Sequence, residues 1–205
     1  ATDALLFELG RSVVETEAPR LGDIESPHPI AGSMLLELER AKAGSTRERA
    51  WAIASMLEGD PQRAALAAKW LSDYSPRELL RIARQFDNRG TARAFAKLME
   101  HVFTDQSGCY EPARKRLGWP LRIPHNRHRF RQWGAKGGSL PGTLTSAQFA
   151  ETTSGRRRVL ALFLHDLPLS RWTVLSTSFA QQFVELEILN ADDLRALIQA
   201  RIGNL

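Results

Sequence analysis

Six consecutive apolar residues, Val159-Leu160-Ala161-Leu162-Phe163-Leu164, constrain this chain more than any other stretch. A strand with one wet face alternates apolar and polar side chains, so an unbroken apolar run predicts a strand covered on both faces. It stops at His165-Asp166-Leu167-Pro168. Two strands are expected ahead of it, one near 130–139 and one over 143–151. Leu140-Pro141-Gly142-Thr143 joins them, with proline and glycine at the second and third positions of a type II turn. Thr153-Ser154-Gly155 turns the chain into the apolar strand. No segment supplies a neighbour for the second edge of residues 158–164.

Helices fill the first hundred or so residues. Leu5, Leu6 and Leu9 share a face, and Gly10 stops that helix. Residues 11–30, rich in proline, glycine and charge, read as a surface loop. Ser33 caps a helix through Met34, Leu35 and Leu38 that ends at Gly44. Ser45-Thr46-Arg47-Glu48 has capping-box spacing ahead of Trp51, Ile53 and Leu57. Asp60-Pro61 and Ser75-Pro76-Arg77-Glu78 start two more helices, carrying Leu66, Trp70 and Leu71, then Leu79, Ile82, Ala83 and Phe86. Phe95, Leu98, Met99 and Val102 form a further apolar stripe, which is core and implies no cofactor. The stretch from Gly108 to Arg129, with Pro112, Gly118, Pro120 and Pro124, reads mostly as loop. The tail is helical: Phe179, Phe183, Leu186 and Leu189, then Leu194, Leu197, Ile198 and Ile202. The order predicts an α+β fold, with a mostly helical part over 1–110 and an antiparallel sheet under a C-terminal helix over 111–205.

Composition is that of an ordinary globular chain, 43% hydrophobic and 25% charged over 205 residues. No apolar run reaches the roughly 18 residues of a membrane span. The start lacks the basic, then apolar, pattern of a signal peptide. Cys109 is the single cysteine, so no internal disulfide forms. The five histidines show no metal-ligand spacing. Charge is unevenly spread. Pro112 to Ala150 holds no Asp or Glu, but it holds Arg114, Lys115, Arg116, Arg122, Arg127, Arg129, Arg131 and Lys136. Without those eight, the balance of 28 Lys+Arg against 23 Asp+Glu becomes 20 against 23. A field this local favours an anionic ligand. Within it, Trp133-Gly134-Ala135-Lys136-Gly137-Gly138-Ser139-Leu140-Pro141-Gly142 sets one lysine among small residues.

Lys136-Gly137-Gly138, followed by a turn, a return strand and the basic, apolar strand Arg156–Phe163, resembles the third signature of the penicillin-recognising serine hydrolases. Class A β-lactamases are the nearest branch. Ala1-Thr2-Asp3-Ala4-Leu5-Leu6 is similar to the start of the helix after that family's Ser-Asp-Asn box. Ser75-Pro76-Arg77-Glu78-Leu79 is similar to a late helix of its all-helical domain. Two signatures are absent. No serine stands three residues before a lysine, and no Ser-Asp-Asn occurs. The third box departs too, with Gly137 where a hydroxyl residue is usual. The resemblance therefore implies the C-terminal portion of a longer, exported protein, periplasmic or secreted. A segment ahead of Ala1 would carry the nucleophile, its lysine and the strands that pair with 158–164.

The resemblance also implies roles. The chemistry is acyl transfer to serine from a β-lactam or related amide or ester, with no cofactor and no metal. Penicillin binding and antibiotic resistance go with it. Lys136 faces the cleft and either pairs with the substrate carboxylate or polarises the hydroxyl of the second box. The peptide N–H of Ser139 serves the oxyanion. Gly137 and Gly138 let the ligand lie close to the strand. Arg129 and Arg131, with Arg127, offer forks for a carboxylate. Arg20-Leu21-Gly22-Asp23-Ile24-Glu25 is similar to the loop that carries the deacylation glutamate, which makes Glu25 the general base, with Glu15 and Glu17 as rivals. Two other readings stay open: a family member that has lost catalysis and serves as a binding module, and a basic nucleic-acid-binding protein suggested by a pI near 9.9. The hydrolase reading takes no nucleic-acid partner.

Overall fold

The computed structural model describes residues 10–21, 24–25, 27–29, 45–86 and 88–202. The helices expected at 5–9 and 33–44, and the segment 1–6, lie outside the described residues. So do the side chains of Trp70, Leu71, Ala83, Phe86, Ile198 and Ile202. The fold is α+β, helices with a three-stranded antiparallel sheet. The chain forms two compact units that divide between Ala94 and Phe95, the hairpin tip Leu140–Gly142 grouping with the first.

The first unit is helical. Arg11–Glu17 forms α1 and runs into a 3-10 turn at Ala18–Leu21, where a loop was expected. Val14 and Ala18 decide this: four residues apart, they share one helix face, and both are buried. Helix α2 is Thr46–Gly59 and buries Ala50, Trp51, Ile53 and Ala54. Its capping box is formed, with Glu48 N–H donating to Ser45 Oγ at 3.3 Å and Ser45 N–H to Glu48 Oε2 at 2.8 Å. Helix α3, Pro61–Ser72, starts with Asp60 Oδ1 accepting from Gln62 N–H at 3.1 Å. Helix α4, Pro76–Phe86, repeats the box: Ser75 N–H donates to Glu78 Oε2 at 2.7 Å and Glu78 N–H to Ser75 Oγ at 3.3 Å. Ile82 is its fully buried anchor. Helix α5, Ala92–Thr104, begins here and continues into the second unit.

The second unit holds the sheet. Strands β1 (Phe130–Leu140), β2 (Thr143–Thr152) and β3 (Arg157–Leu164) lie in the order β1-β2-β3. Gly142 has a φ of 80°, as the third position of a type II turn requires. β2 and β3 run antiparallel from Leu144 opposite Leu164 to Glu151 opposite Arg157. One sheet face buries Ala147 and Phe149 under Met99, Val102 and Phe103 of α5, with Val159 and Ala161 alongside. Phe95 of α5 meets Phe163 edge-on at 5.3 Å. Residues 95–104, placed with the helical part by sequence, thus belong with the sheet. The other face buries Ala150 with Phe130 and Leu189, packed by Trp133, Leu160 and Leu186. Leu186 and Leu189 belong to α9, Ala180–Asn190, which follows α8, Leu169–Ser178. Phe179 separates these two helices in the left-handed conformation, φ 56°. Helix α10, Leu194–Ile202, closes the chain.

One sequence expectation holds with a qualification, and one is corrected. The apolar strand β3 is covered on both faces, but its residues are only half-buried. The most buried strand is β2, with its small and polar Thr143-Leu144-Thr145-Ser146-Ala147-Gln148. Position explains it: β2 is central, and β3 is the edge. The supposed loop at 109–129 is instead three short helical pieces: α6 at Glu111–Leu117, a 3-10 turn at Trp119–Arg122 and α7 at Pro124–Arg127. Each has proline in its first turn, where the missing N–H costs nothing.

A notch fixes α5 on the sheet. A Cβ on Gly134 would stand 2.0 Å from the Phe103 ring, which in turn stacks on Phe149 at 5.1 Å and 8°. Gly134→Ala should therefore overpack the core and lower stability by about 1–3 kcal/mol in urea unfolding. Gly134→Ala with Phe103→Leu should recover part of that loss. At the caps, hydrogen bonds from Ser45 hold the Glu48 carboxyl below the usual range, the backbone N–H contributing most. The Ser75 hydroxyl does the same to Glu78, with its N–H second. A lowered carboxyl contributes stability above its unfolded pKa and loses it as pH falls through the lowered value. Ser45→Ala and Ser75→Ala should thus reduce the urea midpoint more at neutral pH than in acid.

Candidate functional site

The exposed end of β1 gathers Lys136, Gly137, Gly138 and Ser139 on one open edge. Among the described residues β1 is an outer strand of the sheet, and its inner edge pairs with β2. Along an antiparallel strand, residues that exchange both backbone bonds with the neighbour alternate with residues that turn both groups outward. Ala135 marks the phase. Its carbonyl accepts from the Trp119 indole N–H at 3.1 Å, on the outer side. Gly137 and Ser139 follow at intervals of two, so their N–H and C=O groups share that outer edge. The Gly137 carbonyl accepts from Lys136 Nζ at 2.7 Å, in keeping with this phase. The edge thus presents one ammonium group and outward peptide groups in an exposed, glycine-rich stretch.

The glycines are not equivalent. A Cβ on Gly138 would stand 2.8 Å from Thr145 Oγ1, whereas one on Gly137 would meet only the Thr145 carbonyl at 3.6 Å. Ser139 Oγ accepts from the Trp172 indole N–H at 3.2 Å, which ties the end of β1 to α8. Trp172 and Thr145 had no signal in the sequence: one lies 33 residues from its partner in the chain, and the other is an ordinary strand threonine.

The other expected site residues of this unit stand apart from this edge. Arg129 and Arg131 are exposed at the opposite end of β1. Lys136 lies five positions beyond Arg131, about 16 Å along a strand at roughly 3.3 Å per residue. Arg127 turns its Nε to the Leu121 carbonyl at 2.6 Å. Arg114 is structural: its guanidinium holds the Val102 and Asp105 carbonyls at 3.0 and 2.8 Å, closing the C-terminal end of α5, and pairs with Glu111 at 3.2 Å. Glu25 lies in the first unit and is exposed. Its N–H donates to the Arg89 carbonyl at 3.0 Å, beside an Ile24–Gly90 bridge. The Asn88 side chain also pins the His28 backbone, with bonds of 2.8 and 2.9 Å. Glu15 and Glu17 pair with Arg11 and Arg20 at 2.8 and 2.7 Å.

Among the described residues, no group of three or more His, Cys, Asp or Glu is placed to hold a metal ion. No helix among them is long and apolar enough to cross a membrane. No protein-family model matches the chain, and no curated protein matches it.

Gly138→Ala should lower stability, because Thr145 Oγ1 must give way. Gly137→Ala should be close to neutral. A double-mutant cycle of Gly138→Ala with Thr145→Ala should return a coupling of about 0.5–3 kcal/mol in urea unfolding, as expected for residues in contact.

Proposed function

We propose that these residues are the C-terminal portion of a β-lactamase-like serine hydrolase, with the outer edge of β1 forming one wall of its acyl-transfer cleft. The observation that carries this reading is the open edge itself. Lys136 is exposed beside two glycines, and the outward N–H of Ser139 follows within three residues. A tetrahedral acyl intermediate needs N–H donors for its oxyanion and a cation for an anionic substrate. A glycine edge lets a substrate backbone approach as a side-chain-bearing strand would not.

In this mechanism a serine oxygen attacks the strained carbonyl, and its proton passes to a base. The carbonyl carbon–nitrogen bond breaks, the nitrogen takes a proton, and an acyl-enzyme ester remains. Water, activated by a carboxylate, then releases the acid. No serine in these 205 residues precedes a lysine by three positions, so the nucleophile belongs to a segment outside them. That segment also suits β3, whose apolar run Val159–Leu164 is only half-buried at the edge.

The test is covalent labelling of the full-length protein, with all residues upstream of Ala1, by a fluorescent penicillin. The expected result is a denaturation-resistant adduct whose mass increment equals the whole β-lactam. Lys136→Ala should slow its formation by about 10²-fold, the scale of losing one electrostatic stabiliser. Reversible binding without an adduct would point instead to a binding module. Salt-sensitive DNA binding with no β-lactam affinity would favour the nucleic-acid reading.

A further inference from the structure

Glu185 is 2% exposed, on the face of α9 that packs against the sheet, and it forms no ion pair with any of the described residues. Its hydrogen-bond partners are neutral. Gln148 Nε2 on β2 donates to Oε2 at 2.6 Å, and Gln181 Nε2, one turn earlier on α9, donates to Oε1 at 2.8 Å. Gln148, Ser146 and Gln181 are all buried as well. The charged groups of the surrounding elements are engaged or turned outward. Arg158 on β3 donates to the Ile188 carbonyl at 2.6 Å and to that of Ala191, and Arg157 pairs with Glu151 at 2.7 Å. Arg131 on β1, Arg171 on α8, Glu187 on α9 and Asp192 beyond it are exposed.

Donor chemistry fixes the orientation of this cluster. An indole N–H only donates, so the Trp133 bond of 2.9 Å makes the facing atom of Gln148 its carbonyl oxygen. The amide nitrogen of Gln148 must then face Ser146 Oγ, at 3.0 Å, and Glu185 Oε2. Oε2 is therefore the accepting oxygen in either protonation state, and a proton on Glu185 sits on Oε1. Gln181 is the partner free to adapt. Its amide donates to the carboxylate, and turned over it accepts from the acid. Burial away from water raises the carboxyl's pKa, and the bonds from Gln181, Ser146 and Gln148 oppose this only in part.

We propose that Glu185 is a proton-operated latch between α9 and the sheet, a bound proton on Oε1 tightening the helix on β2 and its loss loosening it. The sign follows from linkage. A carboxyl raised in the folded state binds its proton more strongly than in the unfolded chain. Its contribution is complete below the unfolded pKa and is lost as pH rises through the folded value. Lowered carboxyls such as Glu48 and Glu78 act in the opposite direction and at lower pH.

The experiment is urea unfolding of the protein containing these 205 residues from about pH 5 to about pH 9, beside Glu185→Gln. The unfolding equilibrium constant of the unsubstituted chain should rise by up to about tenfold per pH unit while Glu185 ionises. The Glu185→Gln profile should lack that rise. In nuclear magnetic resonance, the Trp133 indole N–H and the Glu185 carboxyl carbon should titrate together, above the ordinary carboxylate range. Parallel pH profiles for the two proteins would overturn the proposal. So would a Glu185 carboxyl titrating within or below that range, a reading that needs no variant to fold.

Discussion

Strand β2 is the constraint on which the C-terminal unit depends. It is the one strand of this sheet with a neighbour on both edges, and helices cover both of its faces. The two faces are sealed by different physics. Toward α5 the contact is apolar and aromatic, with Phe149 under the stacked ring of Phe103. Toward α9 it is polar, with Gln148 spanning from the Trp133 indole to the Glu185 carboxyl. Apolar burial there is left to Ala150, Leu189 and their neighbours. A buried polar contact of this kind adds little net energy, but it is costly to leave half-made, so it specifies one seating of the helix.

Arginines secure the same helix from its far end. Arg158 reaches the carbonyls of Ile188 and Ala191, and Arg156 reaches Ala191 and pairs with Asp192 at 2.6 Å. These are the last carbonyls of α9, unpaired within the helix and carrying its negative end. Two arginines of the basic stretch Arg156–Arg158 thus serve as a helix cap. The window from Pro112 to Ala150 divides in the same way. Arg114 closes α5, Arg127 braces the turn at Leu121, and Lys136 is left on the open edge of β1 with Arg129 and Arg131 at its other end.

Local signals in the sequence were readable. Both capping boxes, the Pro-Gly turn and all three strands lie where short-range chemistry puts them, because each rests on residues within four positions. The long-range facts were hidden. Nothing local says that Thr143–Thr152, poor in large apolar residues, is the central strand. Helix α1 was hidden because two buried side chains, Val14 and Ala18, outweigh the surrounding charge. Of the candidate site, the lysine, the glycines and Ser139 were legible as a cluster. Trp172, Trp119 and Thr145, which hold that cluster in place, were not, since their contacts form only once the sheet exists.

The absence of a side chain at Gly134 has a consequence for how β1 finds its alignment. Phe103 fits over that position because nothing projects from it, and the flanking residues are Trp133 and Ala135. Sliding the hairpin by one residue either way would drive an indole or a methyl into the ring, and would carry Lys136 to the opposite face. The missing carbon therefore acts as a ratchet tooth: it rejects misaligned hairpins during folding, and so sets, from one side of the sheet, where the lysine emerges on the other arm of the strand.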